Sequence, residues 1–217
     1  MDTEVFRAWI VRSAQVIEAN RDHLTQLDAA IGDADHGINL ARGFAAVTAA
    51  LDGSPADTPG AVLTLTGSTL ISKVGGASGP LYGVAFRRAG KALGVAADVD
   101  LPALEQALEA ALAGVQQLGA ASEGDKTMVD ALAPATRALG KAIADGASLA
   151  GALSALADAA AAGAAATVSM QARKGRASYL GSRSVGHEDP GAASTTLILT
   201  ALRDTALGDT APRDTAR

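Results

Sequence analysis

The 217-residue sequence contains no cysteine, which excludes disulfide bonds and thiol chemistry and agrees with a cytoplasmic location. Its first residues, MDTEVFRAW, lack the basic and then apolar layout of a secretory signal peptide. Lysine and arginine are scattered, 18 of them against 23 acidic residues, and the net charge is −5. We therefore expect a cytoplasmic protein with no nucleic-acid partner.

Aromatic residues are also scarce, at 3% of the chain, although 48% of the residues are hydrophobic. Alanine and leucine supply the apolar mass, and alanine is the strongest helix former. β-branched and aromatic runs with a period of two are rare, so we predict an all-α protein. Because no stretch resembles a linker, we expect a single domain over residues 1–207, followed by a flexible tail at 208–217.

One apolar stretch has a composition that could be mistaken for a transmembrane helix. Residues 147–170 are rich in alanine and almost uncharged. Asp158, the small side chains and the absence of interfacial anchors argue against a membrane span. We expect a soluble protein that does not contact a membrane.

Apolar periodicity and capping residues predict eight helices. Their approximate bounds are 3–27, 37–51, 59–74, 80–96, 100–118, 127–145, 149–172 and 191–206. The predicted N-caps are Asp57 or Thr58, Asp100, Asp125, Ser148 and Asp189. Pro134 falls inside the sixth helix, and we expect it to kink that helix or to mark a later start.

The connections between these helices alternate between unusual and ordinary segments. The ordinary ones lie near 52–58, 97–101 and 145–148. The unusual ones, rich in glycine or in charged residues, are 28–37, 75–80, 119–127 and 173–191. Alternate connections of an up-and-down bundle lie at the same end. The sequence thus predicts that all four unusual segments meet at one end.

The first unusual segment carries Asp28, Asp33 and Asp35. Such close carboxylates repel one another unless a cation lies among them, and hard oxygen ligands favour Mg²⁺, Ca²⁺ or Mn²⁺ over zinc. An EF-hand is excluded, because with Asp33 first the glycine comes one residue early and Phe44 replaces the bidentate glutamate. Mg²⁺ shared with phosphate oxygens fits better. The alternative is a solvated acidic turn in which Asp35 only caps the next helix.

Two other segments favour an anionic ligand. GGASGPLYG at 75–83 joins small residues to a helix N-terminus, which can bind anions through free N–H groups, and it is not a Walker A loop. The segment 173–191 is basic at its start, supplies Arg176 for a phosphate, and is long enough to act as a lid. We predict a metal-bound polyphosphate, whose transfer needs positioning and charge neutralisation but no covalent catalytic residue.

Four blocks resemble the nucleotide-binding L subunit of dihydroxyacetone kinase, in that family's order and over nearly the whole chain except the tail. They are DAAIGDADHGINLARGF, GGASGPLYG, GDKTMVDAL and GRASYLGSRSVGHEDPGAAS. The resemblance implies a barrel of eight antiparallel helices, with Asp28, Asp33 and Asp35 holding two Mg²⁺ ions against the nucleotide phosphates. The positions that match nucleotide contacts are His36, Gly37, Ile38, Asn39, Ala77, Ser78, Gly119, Thr127, Met128, Arg176, Asp189, Pro190 and Gly191.

The resemblance also implies partners. In that family dihydroxyacetone is held covalently through a histidine on a separate K subunit or domain. We expect a chain of 217 residues to have no room for that domain, and therefore to act with a partner. Standalone L subunits keep ADP as a bound cofactor that a phosphohistidine protein of the phosphoenolpyruvate-dependent phosphotransferase system rephosphorylates. The alternatives are ATP as an exchanging donor, another small ketose or an acyl group as the substrate, a non-catalytic nucleotide-binding module, and a carrier of an apolar ligand.

Several single residues carry weaker expectations. Lys73 and Lys126 are expected to be solvated, and His187 to be an ordinary residue of the lid. Tyr82 and Tyr179 are expected to pack rather than to stack on a base. We expect the interior of the bundle to be filled with side chains.

Overall fold

The computed structural model describes residues 1–208, and within that range the regular structure is helical, with no β-strand. The helices are α1 Thr3–Ala19, α2 Arg21–Ile31, α3 His36–Asp52, α4 Pro59–Lys73, α5 Ser78–Leu93, α6 Leu101–Gly119, α7 Val129–Ala144, α8 Leu149–Ala166 and α9 Pro190–Ala206. Two 3₁₀ segments, Thr167–Ser169 and Arg176–Ser184, join α8 to α9. The all-α prediction is confirmed. The predicted tail lies outside the described residues from residue 209 onward.

The helices form a closed ring. Contacts run from α1 to α3, then through α4, α5, α6, α7 and α8 to α9, which packs back against α1. The helix α2 continues α1 after an interruption at Asn20 and packs against α3 and α9. The first predicted helix is therefore two helices, which together occupy one of eight places in the ring.

Side-chain caps define most of the helix starts. Thr58, Asp100, Ser148 and Asp189 each accept a hydrogen bond from the backbone N–H three residues later, at 2.7–3.2 Å. The cap predicted at Asp125 is wrong, because its carboxylate accepts from Ser122 N in the preceding loop, and α7 starts later.

Pro134 lies inside α7, as the sequence predicts. Proline has no N–H to offer the carbonyl four residues earlier, here that of Asp130. The neighbouring helix α8 approaches at this point, since a Cβ on Gly163 would lie 2.0 Å from the Asp130 carbonyl oxygen. The α7–α8 contact therefore depends on a glycine facing the carbonyl that the proline leaves unpaired within its own helix.

Apolar side chains fill most of the ring. Phe6, Trp9, Phe44 and Phe86 form edge-to-face and tilted ring contacts in the interior. A small apolar cavity of about 50 Å³ lies beside Trp9 and Phe86. The helical segment Leu149–Ser169 is long and apolar enough to cross a membrane by length and composition alone. Its buried residues, however, pack against α7 and α9 within the ring.

Candidate functional site

A cleft of about 190 Å³ opens at the end of the ring where the four unusual segments meet. Its walls come from the α2–α3, α4–α5, α6–α7 and α8–α9 connections, as the alternation predicts. Twelve of the predicted site residues line it: Asp28, Asp33, Asp35, His36, Ala77, Ser78, Thr127, Met128, Arg176, Asp189, Pro190 and Gly191. Gly37, Ile38, Asn39 and Gly119 lie outside its walls.

The three aspartates converge in the α2–α3 connection. One carboxylate oxygen from each of Asp28, Asp33 and Asp35 lies within 4.8 Å of the other two. Asp35 occupies the N-cap position of α3, but its side chain makes no capping hydrogen bond, which contradicts the capping role that the alternative gave it. Three hard oxygen donors this close fit a divalent cation such as Mg²⁺.

Asp28 also organises the loop that presents the other two carboxylates. It is 8% exposed, and its Oδ2 accepts hydrogen bonds from the backbone N–H of Asp35 at 2.9 Å and of His36 at 3.2 Å. Ala34, which lies between Asp33 and Asp35 in the chain, has a left-handed φ of 62°. Gly37 allows α3 to start against α2, because a Cβ there would lie 2.0 Å from the carbonyl oxygen of Arg21.

A polar network links three helices below the cleft. His36 Nε2 lies 2.9 Å from Ser194 Oγ, and the Tyr82 hydroxyl lies 2.7 Å from the same oxygen. The Tyr82 hydroxyl also donates to Gly191 O at 3.1 Å and lies 2.8 Å from Thr195 Oγ1. Burial lowers the pKa of His36 and raises that of Tyr82. Tyr82, 4% exposed, is confirmed as a packing residue.

The glycine-rich loop places the N-terminus of α5 beside the cleft. Gly76 has a φ of 68°, and Gly76, Ala77 and Ser78 all line the cleft. Ala77 at the N-cap position makes no side-chain hydrogen bond to the first turn. No side chain therefore caps the N–H groups of Ser78 and Gly79, and uncapped N–H groups of this kind bind phosphate at helix N-termini.

The α6–α7 connection is fixed by the buried carboxylate of Asp130. This group accepts from Gly124 N at 2.5 Å and from Thr127 N at 2.8 Å. Met128, 6% exposed, lines both the cleft and the apolar cavity. The expectation that Lys126 is solvated is wrong, because it is 1% exposed with a left-handed φ of 63°. Nothing in GDKTM marks this lysine as buried.

The α8–α9 connection covers one side of the cleft. We call residues 169–187 of this connection the lid. Within it, Arg176 Nη2 lies 3.0 Å from Asp33 Oδ2. His187 is exposed, as expected for an ordinary lid residue. Tyr179 is 88% exposed, so the expectation that it packs is wrong.

Asp189 follows the lid and caps α9 through its contact with Ala192 N at 2.7 Å. Burial raises the pKa of this carboxyl to about 7, and the hydrogen bond from Ala192 opposes the shift.

Lys174 on the lid also lines the cleft and was not predicted as a site residue. One acidic cluster, one helix N-terminus and several cations therefore surround a single space.

The ring with its cleft at one end has counterparts of known structure. The dihydroxyacetone kinase of C. freundii matches with a TM-score of 0.71 at 27% sequence identity, over 94% of this chain and 35% of that one. The same kinase in complex with AMP-PNP and Mg²⁺ matches with a TM-score of 0.68 at 28% identity. This chain thus spans about a third of that kinase.

Sequence comparison identifies the family. The DAK2 domain matches residues 30–204, and the chain belongs to this family. The ADP-binding subunit DhaL of the PEP-dependent dihydroxyacetone kinase of Escherichia coli K12 is 43% identical over 194 residues, 89% of this chain and 92% of that subunit. The Triokinase/FMN cyclase of Rattus norvegicus is 38% identical over 182 residues, but the match covers only 31% of that protein.

Proposed function

We propose that this protein is the Mg–nucleotide-binding subunit of a dihydroxyacetone kinase, a phosphotransferase. The observation that carries the proposal is the convergence of Asp28, Asp33 and Asp35 on one cleft that also contains the N-terminus of α5 and Arg176. The E. coli relative, 43% identical and nearly equal in length, is named as an ADP-binding subunit of such a kinase.

In this proposal the three aspartates hold two Mg²⁺ ions, as the family resemblance implies. The ions supply charge neutralisation for the nucleotide phosphates. Asp28 has a second task, because it holds the backbone of Asp35 and His36 and so fixes the spacing of the carboxylates. No side chain of the cleft is assigned as a covalent nucleophile, since positioning and charge neutralisation suffice for phosphoryl transfer.

The remaining walls bind the nucleotide. Ala77 and Ser78 offer a helix N-terminus to phosphate, and Arg176 on the lid offers a guanidinium. Met128 supplies an apolar wall for the base. The further nucleotide contacts are assigned to His36, Gly37, Ile38, Asn39, Gly119, Thr127, Asp189, Pro190 and Gly191. Among these, Ile38 is 51% exposed beside the start of α3 and is available to a ligand that extends beyond the cleft.

The proposed partners are a K subunit that carries dihydroxyacetone and a phosphohistidine protein of the phosphotransferase system, all in the cytoplasm. ADP then stays bound as a cofactor. Relatives named as PEP-dependent in E. coli and as PTS-dependent in Lactococcus lactis support this choice. The other candidate is a kinase subunit that uses free ATP as an exchanging phosphoryl donor. Its substrate would be dihydroxyacetone or another small ketose.

The test is to purify the chain without added nucleotide, denature it, and identify what it releases. Stoichiometric ADP with magnesium supports the bound-cofactor form. A protein that is empty but binds ATP reversibly supports the exchanging form. A protein that binds neither nucleotide overturns the proposal. Reconstitution with a K subunit and dihydroxyacetone then separates a kinase subunit from a module that only binds nucleotide.

A further inference from the structure

The two ends of the lid are joined to each other. Gly186 N donates to Val168 O at 2.7 Å, and Asp189 N donates to Thr167 Oγ1 at 2.9 Å. Thr167 is 0% exposed, so the bond from Asp189 is anchored on a buried hydroxyl, whereas the bond from Gly186 lies at the surface. The lid is therefore a loop closed at its base, whose ends leave and re-enter the ring at one point.

Lys126, on a different connection, reaches this same point. Its ammonium Nζ donates to the carbonyl oxygen of Thr167 at 2.6 Å and, through a short hydrogen bond, to that of His187. One acceptor precedes the lid and the other ends it, so a single buried cation bridges the two ends. Arg173 N adds a backbone bond from the lid to Asp125 O at 3.0 Å, next to Lys126.

This placement is costly, which indicates that it has a use. Lysine is almost never fully buried unless it is paired, and a left-handed φ is uncommon for residues other than glycine. Burial lowers the pKa of Lys126, while the carboxylates of Asp189, Asp130 and Glu188 favour its charged form. A solvated ammonium would avoid the cost of burial but would leave the carbonyls of Thr167 and His187 without this donor.

We propose that Lys126 is a positioning residue whose ammonium clamps the base of the lid and so holds Arg176 over the aspartate loop. The step to nucleotide retention rests on the proposed function, whereas the clamp itself does not. Lys126 also lines the cleft, but its ammonium donates to carbonyl oxygens at the base of the lid, so its proposed action is on the lid rather than on the nucleotide. It acts through the lid, because the Arg176–Asp33 contact spans the cleft from the segment that Lys126 fixes.

The clamp can be tested on the chain without nucleotide by limited trypsin digestion. The lid contains four trypsin sites, Arg173, Lys174, Arg176 and Arg183. The variant Lys126→Met is compared with wild type and with Lys141→Met, which removes a lysine whose side chain is 75% exposed. Mass spectrometry assigns each cut, and circular dichroism confirms that the fold is retained.

We expect Lys126→Met to speed cleavage within the lid by about 10- to 100-fold, because hydrogen bonds from a charged donor are lost and cleavage follows local opening. Cuts at the remaining helix sites should match wild type, and the lid of Lys141→Met should be cleaved at the wild-type rate. A folded Lys126→Met protein whose lid is cleaved at the wild-type rate overturns the proposal.

The second measurement is the dissociation rate of a fluorescent ADP analogue in the presence of Mg²⁺. We expect Lys126→Met to raise this rate by about 10-fold or more with little change in the association rate, because a looser lid releases ligand sooner. If wild type binds no nucleotide, the proposed function fails while the cleavage result still decides the clamp. Faster lid cleavage with unchanged release would overturn the link to nucleotide retention.

A chemical rescue separates the ammonium from the side-chain volume. Because the chain has no cysteine, Lys126→Cys can be unfolded, alkylated selectively with 2-bromoethylamine and refolded, alongside wild type treated in the same way. Restoring the ammonium should restore slow cleavage. If Lys126→Met does not fold, Lys126→Gln decides, since it removes the charged ammonium but keeps a polar side chain at the buried position. Wild-type lid cleavage in a folded Lys126→Gln protein overturns the proposal.

Discussion

The guanidinium of Arg176 lies 3.0 Å from the carboxylate of Asp33 and joins the lid to the aspartate loop across the cleft. The two side chains are 68% and 37% exposed, so water screens the pair and its contribution to stability is small. What the contact does provide is a position for a cation close to where the proposed phosphates bind. We therefore expect its value to lie in ligand binding.

Replacement of Arg176 should separate these two effects. We expect Arg176→Gln to change the free energy of unfolding by less than about 0.5 kcal/mol. Nucleotide affinity should fall by about 10-fold or more, since charge-assisted contacts to phosphate are strong. Calorimetric titration with Mg·ADP measures the loss, with Arg183→Gln on the same lid as the control. Equal affinities for the two variants would contradict the role given to Arg176.

The aspartate cluster predicts a loss of Mg²⁺-dependent binding without a loss of fold. Asp33→Asn should weaken Mg·nucleotide binding by at least about 100-fold, because it removes a proposed metal ligand. Helix content should be unchanged, and the free energy of unfolding should stay within about 0.5 kcal/mol of wild type. The control is Asp22→Asn, an exposed aspartate of α2 that pairs with Arg21. Retained affinity in Asp33→Asn would count against the site.

Gly37 and Gly53 form a matched pair at the two ends of α3. A Cβ on Gly37 would meet backbone atoms of α2, whereas the nearest contact for one on Gly53 is 3.9 Å away. We expect Gly37→Ala to destabilise the protein by about 1–3 kcal/mol and Gly53→Ala to be neutral or stabilising by about 0.4–1 kcal/mol. Urea unfolding measures both. Similar changes in unfolding free energy for the two variants would show that α2 shifts at little cost to accommodate the added Cβ.

The two tyrosines should respond differently to loss of the hydroxyl. Tyr82 bonds to Gly191, Ser194 and Thr195 inside the protein, while Tyr179 is 88% exposed. Tyr82→Phe should cost about 1–3 kcal/mol, because buried polar groups of α9 lose a partner. Tyr179→Phe should have no measurable effect. Thermal unfolding of the pair tests this, and an unaffected Tyr82→Phe would imply that Ser194 and Thr195 find other partners.

Asp189 predicts a pH dependence of stability. Its pKa is raised from 3.8 to about 7 in the folded state, so folding favours its protonated form. Stability from this group is fully present below the unfolded-state pKa and is lost as the pH rises to about 7. Asn at this position keeps a capping oxygen but never ionises. The free energy of unfolding of Asp189→Asn minus that of wild type should therefore be larger at about pH 8 than at about pH 5, measured by urea unfolding. An equal difference in unfolding free energy at the two pH values would contradict the raised pKa.

Local signals predicted the helices and the end of the ring where the cleft lies. Thr58 and Ser148 cap helices because their hydroxyls bond a nearby N–H, which is a property of a few consecutive residues. The interruption at Asn20 was missed, because apolar periodicity continues through it. The acidic cluster was predicted because three aspartates fall in one short segment.

The rest depends on neighbours that are distant in the chain. Asp130 fixes the loop before the helix that Asp125 was expected to cap, and both aspartates look alike in the sequence. Lys126 is buried because carbonyls 41 and 61 residues away accept its hydrogen bonds. Such a role is decided by how α8 and the lid fold back over α7, and no spacing within the α6–α7 segment contains that information.

The alternation of connections leaves the opposite end of the ring with no part in the cleft. The 94–100 connection lies there, beside the amino terminus, where Met1 N donates to Val99 O, and its Val95 is 90% exposed. A peptide tag inserted at 95–97 should therefore leave nucleotide binding unaltered. It would anchor the protein to a sensor surface with the cleft and lid facing the solution, ready for a partner supplied in flow.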